Sequence, residues 1–281
     1  MPDGWADRAF LRGSQYKTDV NLAARQSIYA YQHPRIDLAA RVLDLAGPAP
    51  SGLAVDIACG NGMYLAELAR RSFPGRVLGL DLSAGMLSAA RQRLTAASPA
   101  PPAPAPATSP NPAASPNPAV ALTVADATAL PLPDGAASLA LAMHMLYHVP
   151  DPAEAFRELR RVTRPDGRAV IGLNGAGHLR QLRAAVAAAA GNDPATLVER
   201  ISLDDGEIMA GSFFARVTRH DFVTELRVPA AGPLADYLRS TAGTSHAVGA
   251  EQVDAVLAAI PRSPEGHFVI SAHAGCLICE P

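Results

Sequence analysis

Two acids and two glycines stand where a nucleoside could be held. The run Leu53-Ala-Val-Asp-Ile-Ala-Cys-Gly-Asn-Gly-Met-Tyr-Leu65 reads as an apolar strand, a glycine turn and the start of a helix. Asp56 lies near the carboxyl end of that strand, where it can accept hydrogen bonds. Gly60 and Gly62 let the backbone approach a ligand and take φ angles that a Cβ resists. A second apolar run ends on Asp81, nineteen residues after Gly62. An acid at that distance can accept from both hydroxyls of an adenosine ribose. A dinucleotide site wants a third glycine three residues after Gly62, to seat a helix beneath a pyrophosphate, and position 65 is leucine. The pattern points to an adenosyl ligand without a pyrophosphate.

The segment Met143-His-Met-Leu-Tyr-His-Val-Pro-Asp151 follows another apolar run and supplies titratable candidates. His144 and His148 are four apart, a spacing that would put two metal ligands on one face of a helix. No glutamate follows the first histidine and no third ligand stands out, so no metal is expected. A neutral imidazole can instead accept a proton from an amine, a phenol or an acidic carbon. His144 is the nearest candidate for that part, with Tyr147 and His148 behind it; a histidine with a purely structural part fits either position equally well. Asp126, just after an apolar run, either accepts from an adenine amino group or caps a turn. Cys276 and Cys279 form a C-x-x-C, but residues three apart on a strand face opposite ways, which favours two core residues over a shared metal. Three cysteines are too few for a disulfide framework.

The elements that must hold these residues alternate. Helices are predicted over 38–46, 62–71, 84–94 and 152–162, and strands over 54–57, 76–81, 119–124, 137–143 and 168–173. Strand and helix units of this length imply a parallel sheet with helices on both faces and ligands at the carboxyl ends of its strands. Beyond Asn174 the pattern loosens into helices over 179–190, 233–242 and 249–260 and strands over 222–228 and 268–280. Residues 98–118 are rich in proline and alanine and carry no charge. They read as a disordered insertion within one domain, not as a domain boundary.

The chain has 281 residues, enough for one α/β domain with an added lid. Charged residues make up 18% and the formal net charge is −2, which gives no basic field for a nucleic-acid partner. The first residues lack the basic and apolar blocks of a signal peptide, and no apolar run reaches the roughly 18 residues of a membrane span. A cytoplasmic protein with neither nucleic-acid nor membrane partners is expected.

Four segments together carry a family resemblance. They are Val55-Asp-Ile-Ala-Cys-Gly-Asn-Gly62, Gly79-Leu-Asp-Leu-Ser-Ala-Gly-Met-Leu87, Ala125-Asp-Ala-Thr-Ala-Leu-Pro-Leu-Pro-Asp134 and Leu159-Arg-Arg-Val-Thr-Arg-Pro-Asp-Gly-Arg168. In order and spacing, residues 55–167 resemble the class I S-adenosylmethionine-dependent methyltransferases, within them the small-molecule branch typified by ubiquinone and menaquinone biosynthesis enzymes. The first segment departs from the family at Ala58, where a glycine is usual.

The resemblance implies a doubly wound, Rossmann-like α/β fold: a seven-stranded, mostly parallel sheet with an antiparallel last strand and a helical lid. Strand 222–228 and the C-terminal strand would be its closing pair. Residues 1–35 would be an N-terminal lid, 36–97 and 119–175 the cofactor-binding core, and 176–281 a substrate lid with the closing strands. The implied cofactor is S-adenosylmethionine. It would be held by Asp56, Ala58, Gly60 and Gly62, by Asp81, Leu82 and Met86, by Ala125, Asp126 and Ala127, and by Met143, with Tyr16 and Arg25 of the lid near its methionine end. His148 would be structural or face the cofactor, and His144 would face the substrate.

The implied reaction is methyl transfer to oxygen, nitrogen or carbon of a small molecule, by a monomer or a homodimer. Tyr29, Phe213 and Phe214 are candidates for an apolar pocket wall. The Asn- or Asp-Pro-Pro-Tyr tetrapeptide of amino-directed DNA and protein-glutamine methyltransferases is absent, and no cysteine follows a proline. A protein that holds the cofactor without transferring methyl, a cyclase, or a nicotinamide oxidoreductase are the competing readings.

Overall fold

Apolar residues line both faces of the central strands, and that pattern decides the layering. The computed structural model describes residues 4–47, 51–97, 120–191, 200–244 and 247–281. From the N-terminus come α1 (Arg8–Phe10), a π-helical turn (Leu11–Gln15), α2 (Val20–Ser27), a 3-10 turn (Ile28–Tyr31) and β1 (Gln32–His33). Then follow α3 (Leu38–Ala46), β2 (Gly52–Ile57), α4 (Met63–Arg70), β3 (Gly75–Asp81), α5 (Ala84–Ala97), β4 (Val120–Val124) and β5 (Ala137–Met143). A 3-10 turn (Leu146–His148), α6 (Pro152–Val162), β6 (Thr163–Asn174), α7 (Arg180–Ala190) and α8 (Leu203–Ala210) continue the chain. It closes with β7 (Arg216–Val228), α9 (Ala231–Arg239), α10 (Val253–Ala259) and β8 (Phe268–Glu280).

The strands form one sheet in the order β1-β7-β8-β6-β5-β2-β3-β4. The pairs among β2 to β6 are parallel. β8 runs antiparallel to both β6 and β7. The sheet therefore has eight strands where seven were expected. The eighth is β1, whose Gln32 and His33 pair with Leu226 and Glu225 on the outer edge of β7. Two residues leave no apolar alternation to read.

One face packs Val55, Ile57, Ala140, Ala142, Ile171 and Leu277 against Phe156 and Leu159 of α6 and Leu203 of α8. The other packs Ala54, Val77, Leu139, Leu141, Val170 and Cys276 against α3, α4 and α5. A third apolar cluster joins Ile28, α7, α9 and α10 to the start of β8 and the end of β7. Local signals set the boundaries. Asp151 accepts from the Ala153 N–H at 3.0 Å and Pro152 opens α6, where its missing N–H is harmless.

Three expectations shift. β7 begins at Arg216, six residues before the apolar run, because its outer half pairs with β8 through charged residues such as Arg216 and Glu280. α8 went unread, although Ser202 and Asp205 form a capping box at its start. The segment 98–118, read as a disordered insertion, lies outside the described residues.

Candidate functional site

The carboxyl ends of β2, β3 and β5 open on a cavity of about 200 Å³, roofed by the N-terminal segment. Fifteen of the sixteen residues proposed from sequence line it: Tyr16, Arg25, Asp56, Ala58, Gly60, Asp81, Leu82, Met86, Ala125, Asp126, Ala127, Met143, His144, Tyr147 and His148. The exception is Gly62. It caps α4 at φ +77°, and a Cβ there would stand 2.9 Å from the Ala90 Cβ of α5, so this glycine permits close helix packing.

The β2–α4 turn reverses sharply. Ala58 at φ 57° and Gly60 at φ 53° both adopt left-handed backbone. The conformation is free for glycine and costs an L-residue about 1–2 kcal/mol. Ala58 bears that strain in the wall of the cavity. The turn brings the Gly60 N–H to 2.8 Å from Asp81 Oδ2, while Ser83 N–H reaches Oδ1 at 2.8 Å. Burial pushes the Asp81 carboxyl up to about 6, against the pull of these two donors. Asp56 is 1% exposed and its Oδ2 has no hydrogen-bond partner among the described residues. Burial first, and then the charge of Asp81, raise its carboxyl well above the usual range.

Asp126 takes the turn-closing part read from sequence. Its Oδ1 accepts from Thr128 N–H at 2.9 Å and from the Thr128 hydroxyl at 2.8 Å, closing a turn. Its Oδ2 meets Arg8 Nε at 2.8 Å. Burial pushes this carboxyl up, but the Thr128 donors and Arg8 outweigh it and hold the group below its ordinary value.

The N-terminal segment is tied to each loop that builds the cavity. Asn61 Nδ2 donates to Gln26 Oε1 at 3.0 Å, Ser83 Oγ donates to the Tyr16 carbonyl at 2.6 Å, and Arg8 holds Asp126. A Cβ on Gly85 would collide with the Lys17 carbonyl oxygen, so glycine at the start of α5 seats the segment. Tyr16 Oη lies 2.8 Å from His148 Nε2 and accepts from Arg25 at 3.0 Å. Arg25 also donates to the Ser240 carbonyl at 3.1 Å and stacks over Trp5 and Tyr16. His148 Nδ1 lies 2.9 Å from the Trp5 carbonyl.

His144 follows β5 with φ 54°, its N–H bonded to the Gly172 carbonyl at 2.9 Å. Its ring lines the cavity and makes no hydrogen bond among the described residues; burial lowers its pKa to about 4. Behind it, His178 accepts from the His273 N–H at Nδ1 (3.2 Å) and meets the Tyr29 hydroxyl at Nε2 (3.0 Å). Burial and then the charge of His144 lower its pKa to about 3. His144 and His148 do not share a helical face, since a left-handed residue and a 3-10 turn separate them. Among the described residues no group of three His, Cys, Asp or Glu side chains could hold a metal ion.

Cys276 and Cys279 do lie on opposite faces of β8, one in each core layer, with thiols pushed up to about 12 by burial. Tyr29, Phe213 and Phe214 are not in the cavity wall: Phe213 stacks on Phe156 at 5.8 Å in the layer below. Sequence reading missed Arg8, Asn61, Tyr64 and Ser83 in the wall and Trp5 beside it. Ser83 was findable as the residue two after Asp81; the others carry no local signal.

Residues 55–171 match a family described as a methyltransferase domain. A 37.1 kDa protein in transposon TN4556 of Streptomyces fradiae, described as uncharacterised, is 37% identical over 132 residues. That alignment takes in 47% of this chain and 32% of the relative, so the chain matches about a third of that protein's length. A putative methyltransferase from Bacillus halodurans superposes with TM-score 0.58 at 15% identity, over 86% of this chain and 98% of the other. A phosphoethanolamine N-methyltransferase of Haemonchus contortus, solved with S-adenosyl-L-methionine, gives 0.57 at 17% identity over 98% and 60%. The [4+2]-cyclase SpnF gives 0.51 at 18% identity over 87% and 80%. At these identities the likeness is one of fold.

Proposed function

We propose that this chain, whose residues 55–171 match a methyltransferase domain family, is a class I S-adenosylmethionine-dependent enzyme that methylates a small molecule. The observation that carries the reading is the pair of acids, Asp56 and Asp81, buried in one cavity at the ends of adjacent parallel strands. Burying carboxylates is costly unless a partner answers them. Asp56 Oδ2 has none among the described residues, so the cavity fits a ligand rich in hydrogen-bond donors. Asp81 would take the ribose hydroxyls. Asp126, with the Ala125 and Ala127 backbone, would border the adenine, Leu82 and Met86 would flank it, and Arg25 with Tyr16 would meet the carboxylate of the methionine end.

The cofactor supplies a methyl group on a sulfonium whose leaving thioether is neutral, so little covalent help is needed from the protein. The chain's part is alignment and exclusion of water. Met143, Met145 and Tyr147 wall the end of the cavity beside His144. His144, neutral across the physiological range, can accept a proton from an acceptor that loses one. The segment from Arg8 to Gln26 closes the roof as a lid.

S-adenosylhomocysteine should raise the melting temperature of the wild type, since a ligand that binds only the native state stabilises it by mass action. Asp81→Ala should lose most of that shift. No shift at saturating ligand would sink the assignment. Release of S-adenosylhomocysteine in the presence of candidate acceptors separates a methyltransferase from a cyclase or a protein that only holds the cofactor.

A further inference from the structure

Tyr64 sits in the first turn of α4, two residues after Gly62, and is 5% exposed. Among the described residues its hydroxyl is buried without a hydrogen-bond partner, as is Asp56 Oδ2. Both residues line the cavity. They also share a side of the sheet: Tyr64 packs in the layer with Ala54 and Val77, and Asp56 alternates with Val55 and Ile57, which face the opposite layer. The two groups do not bond each other, and Asp56 is the charge that the hydroxyl feels most.

Three other side chains of the wall are answered within the protein: Asp81 by Gly60 and Ser83, Asp126 by Thr128 and Arg8, Asn61 by Gln26. An unanswered hydroxyl destabilises the fold, and phenylalanine would fill the same space without it. Two unanswered oxygens on residues of one cavity wall suit a donor with several N–H groups. A primary ammonium has three, and its charge strengthens each bond to a carboxylate.

We propose that Tyr64 is a cofactor-binding residue, its hydroxyl and Asp56 Oδ2 together receiving the α-ammonium group at the methionine end of the cofactor. The proposal rests on the S-adenosylmethionine reading above. It gives the amino-acid end two anchors in the cavity wall besides Tyr16 and Arg25.

Calorimetric titration of the wild type and Tyr64→Phe with two probes tests it. S-adenosylhomocysteine carries the ammonium; 5′-methylthioadenosine keeps the adenosine and thioether but lacks the amino acid. The variant should bind S-adenosylhomocysteine on the order of tenfold more weakly, with unchanged affinity for methylthioadenosine. Its ligand-free Tm should stay level or rise, because an unpaired hydroxyl has gone. Unchanged affinity for S-adenosylhomocysteine, as for a recess that holds only an internal water, overturns the proposal. So does an equal loss for both probes, or a lower ligand-free Tm. A wild type that binds neither probe removes the cofactor reading itself, and the proposal with it.

Discussion

Tyr16 Oη and His148 Nε2 lie 2.8 Å apart, and their neighbours decide which one donates. His148 Nδ1 faces the Trp5 carbonyl at 2.9 Å, an oxygen that can only accept, so Nδ1 carries the hydrogen. In the neutral ring Nε2 then accepts from Tyr16, whose oxygen accepts in turn from Arg25. Both nitrogens of His148 are thus engaged with the N-terminal segment. A double-mutant cycle of Tyr16→Phe and His148→Phe, followed by chemical denaturation, should give a coupling energy of about 1 kcal/mol. Strict additivity would show that the bond contributes nothing.

The His144 ring has no hydrogen-bond partner among the described residues, and burial lowers its pKa to about 4. An acidic limb arising from this residue should therefore fall near pH 4, below the intrinsic value of about 6.5. If it accepts the proton, His144→Ala should lower turnover about 10²-fold and remove that limb, with cofactor affinity little changed. Activity equal to wild type across the pH range would take His144 out of the chemistry.

Asp81 should make cofactor affinity depend on pH. Its carboxyl titrates at about 6 in the ligand-free protein, and a carboxylate accepts from two ribose hydroxyls where the protonated group accepts less well. Ionisation and binding therefore favour each other. Affinity for S-adenosylhomocysteine should be level above pH 7 and fall about tenfold per pH unit below 6. Titrations that stay flat down to pH 5 would contradict this assignment.

Ala58→Gly should stabilise the ligand-free protein. Relief of the left-handed strain at φ 57° outweighs the extra freedom glycine gives the unfolded chain, for a net gain of about 0.5–1 kcal/mol. Urea denaturation with an unchanged m-value measures it. A loss of stability would mean that the Ala58 methyl packs more favourably than its backbone strains.

Legibility followed the locality of each signal. Helices 38–46 and 152–162 and strands 137–143 and 268–280 were readable to the residue, because apolar blocks end at caps or turns such as Asp151-Pro152. Asp56, Asp81 and Asp126 were readable because each follows an apolar strand at a fixed spacing. Trp5 was not, since it matters only through a carbonyl that meets His148, 143 residues away in the chain. Tyr64 reads as one more apolar residue in an amphipathic helix, and nothing in its neighbours reveals that its hydroxyl lacks a partner. β1 and the outer half of β7 gain their strand character from pairing, which a charged or two-residue run does not announce.

The partnership of β6 with β8 separates the stretch of sequence that a family match outlines from the unit that can fold. Residues 55–171 contain nine of the twelve residues of β6, yet Ala169 to Asn174 find their second partner in Ala274 to Cys279, on the far side of α7, α8, β7, α9 and α10. Excised at those limits, the piece would expose an open strand edge beside Val170 and Ile171, both 0% exposed in the intact chain. An apolar edge of that kind recruits strands from other molecules. A truncation that preserves every motif should aggregate, and a workable fragment has to extend through β8.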